Sequence, residues 1–405
     1  MDEAKGLYWL GSLPYKSTEQ HEKIKDVLRQ FQAGYTERDA AKADVFVKEL
    51  FISGEDTYIL GTGTGELFFG SEQIKELIID DWKYWGNVNI DLENIHIDIE
   101  NEVAWFAATG SVKYDFQDTP ERYDSYLNFI KSKVKDPNLT PKQKITFINW
   151  VLSLTYHQRF EKKREYLLPL RLSGVLLKDD SKWKFAHIQF SMPKGDFPDE
   201  RFENSKEHLE NYDSQNAIVD KYFKGNITIE QKSLLKSLET EFIGHKEISR
   251  ELVNKYFLAE RIPYIIAPDN QWYMGIDQIK EFFSETQGSI LSIDLKHVIA
   301  TQHNSVSWIT AFGTLKKNLK EDELHIQVLK GLENLFQTSL TSREKLFAAH
   351  RSISYVLKEG ASGADYTCPI RLTAVILRQK TGLALSNIHF SFPSYWIFEE
   401  KIDSI

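Results

Sequence analysis

The sequence predicts an α+β protein built from two tandem copies of one domain. Three observations carry that prediction. The first is a long internal echo: Ala186-His187-Ile188-Gln189-Phe190-Ser191-Met192-Pro193 returns as Ser386-Asn387-Ile388-His389-Phe390-Ser391-Phe392-Pro393. The echo extends upstream in the same order. Pro169-Leu170-Arg171-Leu172-Ser173 matches Pro369-Ile370-Arg371-Leu372-Thr373, and Val103-Ala104-Trp105 with Gly110 matches Val306-Ser307-Trp308 with Gly313. Gly70 with Gln73-Ile74-Lys75-Glu76 matches Gly275 with Gln278-Ile279-Lys280-Glu281. Collinear matches of this kind are the signature of a duplicated unit. The second observation is the order of patterns within each copy: helix, helix, short hairpin, helix, then long strands, which reads as helices on one face of an antiparallel sheet. The third is length, since 405 residues supply two domains, each able to bury its own core.

Element by element, residues 1–16 read as an arm, with Tyr8, Trp9 and Leu10 as an apolar patch. Ser17 or Thr18 caps a helix over about 19–34, with Ile24, Val27, Leu28 and Phe31 at helical spacing. A second helix covers about 40–50. Thr57-Tyr58-Ile59-Leu60 reads as a strand, Gly61-Thr62-Gly63-Thr64-Gly65 as a turn and Leu67-Phe68-Phe69 as the return strand. A helix follows over about 71–85. Strands are expected over about 90–99, 103–114, 167–178 and 183–192, with a helical insertion at about 120–165 and its counterpart at about 320–359. The expected domains are therefore 17–196 and 229–397, joined by a linker over 197–228 with a helix at about 202–223, and followed by a tail over 398–405.

Composition narrows the class. Hydrophobic residues at 41% and charged residues at 27% describe an ordinary globular chain. A net charge of −9 argues against a general nucleic-acid binder, which needs a basic face. Cys368 is the only cysteine, so no disulfide within the chain and no thiolate cluster can form. The N-terminal Met1-Asp2-Glu3-Ala4-Lys5 has no signal-peptide pattern, and no apolar run approaches spanning length. The expectation is a cytoplasmic protein with no membrane partner and no cofactor.

The same order of elements resembles the SnoaL-like branch of the nuclear transport factor 2-like superfamily. Leu60-Gly61 through Glu66-Leu67-Phe68-Phe69-Gly70 to Gln73-Ile74 carries the resemblance, with Val103-Ala104-Trp105-Phe106 and the pair Pro169–Ser173 and Trp183–Ser191. The last strands also resemble the association domain of calcium/calmodulin-dependent kinase. The resemblance implies two tandem cone-shaped domains, each with helices packed on a strongly curved antiparallel sheet that wraps a pocket. Members often dimerise through the sheet, so a tandem chain could make that pairing internally, as a pseudo-dimer of its two repeats. Fold of this kind does not fix activity.

Candidate site residues follow from facing and chemistry. The glycine-rich turn lacks the third glycine and following helix of a phosphate loop and reads as a hairpin. The eleven histidines show no paired ligand spacing, so no metal site is expected. Arg171 and Arg371 sit within apolar strands, where a guanidinium needs a partner, either an internal acid or an anionic ligand held in bidentate fashion. Strand alternation puts Arg171 and Ser173 on one face, and His187, Gln189 and Ser191 on one face. Gln189 stands where the second copy has His389.

Asp81 falls amid the helical stripe of Ile74, Leu77, Ile78, Trp82 and Trp85, where a desolvated carboxylate could act as a general base. Tyr58, Glu66 and Trp105 complete the candidate wall. The second copy replaces Asp81 by Thr286, Trp82 by Gln287 and Glu66 by Gln271, so any ligand or chemistry is expected in the N-terminal domain. Two functions stand at this point: a small-molecule-binding or assembly module, or a cofactor-free isomerase, lyase or hydrolase-like enzyme. The second would use Asp81 as base, with Arg171 or a tyrosine hydroxyl holding developing negative charge.

Overall fold

The structure is a computed structural model. It describes residues 18–192, 206–349 and 365–393, apart from 64, 118–119, 140, 142–143, 145–147, 149–162, 224, 226, 246, 269–270, 319–320, 340–341, 343–344 and 346–348. The expected arm at 1–16 and the tail at 398–405 lie outside the described residues.

In the first repeat the chain runs α1 (Glu19–Glu37), α2 (Ala43–Leu50), β1 (Tyr58–Leu60), β2 (Leu67–Phe69), α3 (Gly70–Tyr84), β3 (Asn87–Ile90), β4 (His96–Glu100), β5 (Val103–Gln117), α4 (Pro120–Lys135), β6 (Lys163–Asp179) and β7 (Lys182–Ser191). Helix α5 (Lys206–Tyr222) connects to the second repeat. There follow α6 (Ile229–Ser237), α7 (Arg250–Tyr256), β8 (Tyr264–Ile266), β9 (Trp272–Met274), α8 (Gly275–Glu285), β10 (Ser289–Ile293), β11 (Ile299–His303), β12 (Val306–Asn318), α9 (Glu321–Gln337), β13 (Asp365–Gln379) and β14 (Gly382–Ser391). The first sheet has the order β2-β1-β7-β6-β5-β3, with β4 also on β5. The second has β9-β8-β14-β13-β12-β10, with β11 on β12, so the two repeats share one strand order.

Four details differ from the sequence reading. Both sheets are mixed, because β1 pairs parallel to β7 and β8 parallel to β14. The strand expected over 90–99 is two strands, because the Asp91 carboxylate accepts from the backbone N–H groups of Glu93 and Asn94 and turns the chain between them. The insertion is not helical to residue 165, since β6 begins at Lys163 and pairs with β5 along its whole length. Its expected apolar positions Phe147, Trp150, Leu154 and Tyr156 lie outside the described residues, whereas Phe129 is buried on α4. The helical pattern that the sequence restarts over 234–257 begins earlier, at α6, and is interrupted by a π-turn at Leu238–Phe242 before α7 begins.

The echoed glycines have a steric reason. A Cβ on Gly110 would stand 2.5 Å from the Asn89 carbonyl oxygen, and one on Gly313 would stand 2.0 Å from that of Ser292. These are the points where β3 pairs with β5 and β10 with β12 at the closest backbone approach, and only a residue without a side chain fits there.

Strand alternation divides each sheet into two faces. Leu170, Leu172, Ala104, Phe106, Ile188 and Phe190 join Ile24, Phe31, Tyr35, Ile78, Trp82 and Trp85 in one core beneath α1 and α3. The alternate residues Val103, Trp105 and Val175 belong to a different cluster, together with Val306, Trp308 and Val375 of the second repeat and Val219 of α5. One face of each sheet therefore builds its own domain, and the other meets its counterpart.

Candidate functional site

The site residues expected from the sequence are not brought to one wall. Asp81, Trp82 and Trp85 stand inside the first cone. Tyr58, Trp105, Arg171, Gln189, Arg371 and His389 stand on the sheet faces that meet between the repeats. Glu66 lies at the rim, on the hairpin.

Inside the cone, α3 buries the expected stripe of Ile74, Leu77, Ile78 and Trp82, with Asp81 among them at 9% exposure. Asp81 Oδ2 accepts a hydrogen bond from the Tyr35 hydroxyl at 2.7 Å, and the Asp81 carbonyl oxygen accepts from Arg38 Nη2 at 3.2 Å. Burial, reinforced by the adjacent carboxylate, holds the Tyr35 hydroxyl well above its ordinary pKa, so it remains a donor. That hydrogen bond engages the carboxylate oxygen that proton abstraction would use.

The surrounding rings touch one another. Phe31 and Tyr35 are 5.0 Å apart at their centroids, Phe31 and Phe185 5.6 Å, Tyr35 and Trp85 6.1 Å, Trp85 and Phe190 6.0 Å, and Phe46 and Trp82 5.2 Å. The second cone repeats this with Phe242 and Phe283 at 4.5 Å and Phe282 and Phe390 at 5.7 Å. Its helix register puts Leu234, Leu235, Leu238 and Phe242 where the first cone has Val27, Leu28, Phe31 and Tyr35. The Tyr35–Asp81 pair thus becomes Phe242 and Thr286. Thr286 instead spends its hydroxyl on the Phe283 carbonyl and the Gly244 N–H.

Between the repeats the polar side chains bond to one another. Both ring nitrogens of His389 are engaged, Nδ1 with Ser173 Oγ at 2.8 Å and Nε2 with Ser191 Oγ at 2.7 Å. His187 Nδ1–H donates to the Tyr58 carbonyl oxygen at 3.3 Å, which leaves Nε2 to accept from the Thr373 hydroxyl at 3.2 Å. The Tyr58 hydroxyl meets Thr310 Oγ1 at 2.8 Å, and Gln189 Nε2 donates to Ser391 Oγ at 3.1 Å. Burial lowers the His187 pKa to about 3. Burial, with Arg371, Arg171 and His187 nearby, holds His389 well below its usual value. Both are neutral at pH 7.

Arg371 explains the glycine-rich turn. Its Nη1 donates to the Gly63 carbonyl at 3.0 Å, its Nη2 to those of Thr62 and Phe190 at 3.0 and 3.3 Å, and its Nε to Ser391 Oγ at 2.9 Å. Glu66 braces the same turn by accepting from the Gly63 N–H at 2.6 Å, and its charge opposes the desolvation that lowers the Arg371 pKa to about 10. The hairpin of one repeat is thus a receptor for a guanidinium of the other. Arg171 is equally buried and donates to the Leu170 carbonyl at 3.0 Å. Sequence reasoning missed Arg261, which pairs with Asp98 and Glu100 of the first repeat and lies 5.3 Å over the Trp105 ring. Its position outside both echoed blocks left no signal. Among the described residues no cluster of His, Cys, Asp and Glu could hold a metal ion, and no helix is long and apolar enough to cross a membrane.

Residues 24–131 match the SnoaL-like domain family. That match lies within the first repeat, and the second repeat has the same strand order. No curated protein matches. Among solved structures it is similar to an NTF2-like superfamily protein from Salmonella enterica (12% identity, 43% of this chain and 91% of that one, TM-score 0.28). It is also similar to a putative scytalone dehydratase from Novosphingobium aromaticivorans (10% identity, 43% and 85%, TM-score 0.28). A third is a putative calcium/calmodulin-dependent protein kinase II association domain from Xanthomonas campestris (12% identity, 45% and 91%, TM-score 0.27). Nothing about chemistry follows from likenesses this distant.

Proposed function

We propose that the chain is an assembly module, an internal pseudo-dimer of two SnoaL-like domains spanning 17–196 and 229–397, rather than an enzyme. The observation that carries this reading is the aromatic packing inside the first cone. Trp85 meets both Tyr35 and Phe190 edge-on, and all three side chains are buried. Three polar groups that could line a ligand site, the Arg371 guanidinium, Gln189 Nε2 and the His389 ring, bond between the repeats. The Tyr35–Asp81 pair, absent from the second cone, is what favours the enzymatic alternative. The Tyr35 phenol already engages Asp81 Oδ2, the oxygen that a base would use.

The test is a titration of the full chain, labelled at its indole nitrogens, with small aromatic probes such as indole and phenol. The expected outcome is that the Trp82 and Trp85 indole N–H signals stay in place up to millimolar probe. Saturable shifts at those two signals would show an open pocket and return the ligand-binding reading, with Asp81 as the first residue to replace.

A further inference from the structure

The two insertion helices carry matching apolar residues on their outer surfaces. On α4, Leu127 is 48% and Val134 51% exposed; on α9, Leu329 is 59% and Phe336 53% exposed. Each pair is spaced seven residues apart, so each lies along one helix face. The two pairs occupy corresponding places, since Leu329 and Phe336 each follow their partner in the first repeat by the same interval. Ile326, 52% exposed and three residues before Leu329, widens the second stripe. A single exposed leucine is unremarkable, but a duplicated stripe is the mark of a surface that is covered in use.

Charge indicates what covers it. Helix α4 has four basic and two acidic residues, with Lys131, Lys133 and Lys135 gathered in its last turns. Helix α9 has one lysine against four acidic residues, with Glu321, Asp322 and Glu323 in its first turn. Laid antiparallel with Leu127 opposite Leu329, the last turns of α4 with Lys131, Lys133 and Lys135 come opposite the acidic start of α9, and Ile130 comes opposite Ile326. Opposed helix dipoles favour the same arrangement. We infer that α4 of one chain packs on α9 of a second copy, and α9 on α4 in return, giving a two-fold homodimer with two identical helix contacts. An isologous pairing of this type uses both stripes at once and closes. The inference rests on the assembly reading and names its partner as the chain itself.

Sedimentation equilibrium of the full chain tests it. The expected mass is twice the 47.1 kDa of one chain. Leu127→Glu with Leu329→Glu is expected to give a monomer with unchanged circular dichroism. Lys131→Glu with Lys135→Glu is expected to weaken the dimer at least tenfold, and adding Asp322→Lys to restore it. The charge exchange keeps the test independent of any loss of folding in the leucine variant. A monomeric wild type at 100 µM, or a dimer indifferent to these substitutions, overturns the inference and leaves the stripes to a different partner. Neither result bears on whether probes enter the cone, so the two readings fail separately.

Discussion

Lowering the pH from 7 to 4 is expected to destabilise the folded chain steeply, through the two histidines sealed between the repeats. His187, with its pKa lowered to about 3 by burial, regains an ordinary value near 6.5 when the chain unfolds. Between those values the unfolded state binds the proton and the folded state does not, so stability falls as pH falls. The contribution is fully present above about pH 6.5 and is lost progressively down to about 3. At about 1.4 kcal/mol per pH unit it amounts to roughly 3 kcal/mol at pH 4 and on the order of 5 kcal/mol in full. His389, shifted in the same direction, steepens the same limb.

Urea unfolding at a series of pH values measures this effect. Carboxylates also titrate in the range, so the comparison is with His187→Asn plus His389→Gln, which imports the residues found at the equivalent places, Asn387 and Gln189. The double variant is expected to show a much shallower acid limb. An unchanged limb would mean that neither histidine is buried neutral between the repeats.

Replacing Trp85 by alanine is expected to cost about 3 to 5 kcal/mol of folding free energy, the usual range for removing a large aromatic from a close-packed core. Trp85 is only 5% exposed and sits edge-on to both Tyr35 and Phe190. Its loss would leave a void walled by rings that are themselves fixed by their neighbours, so little collapse can refill it. A tryptophan lining an existing pocket behaves differently, because its removal enlarges a space already there, and a cost near 1 kcal/mol would be the signature. Trp85→Phe, which keeps a ring, is expected to fall between the two.

Much of the architecture was legible in the sequence. The echo around Phe190 and Phe390, the glycines at 110 and 313 and the stripe on α3 are all local patterns with one physical meaning each. They report backbone approach and burial, and the structure has them as such. The face shared by Arg171 and Ser173 was legible too, because alternation is fixed by strand geometry. What that face looks at was not. A polar side chain in an apolar strand marks a buried partner, and sequence alone does not say whether that partner is a ligand or the other half of the chain. Arg371 resolves onto the carbonyls of Thr62 and Gly63, more than three hundred residues away in the chain. No periodicity could connect those positions. The Tyr35–Asp81 bond was hidden for the same reason, since Tyr35 lies beyond the expected end of the first helix.

The two repeats close on one another, face to face, as one structural unit. Native-state hydrogen exchange of the full chain tests it most directly, by comparing the most protected amides of β6 with those of β13. Both strands are expected to open with the same free energy, to within about 1 kcal/mol, because the bonds of His187, His389 and Arg371 tie each sheet to the other. Opening of one strand at a free energy several kcal/mol below the other would show two independently folding domains and contradict it.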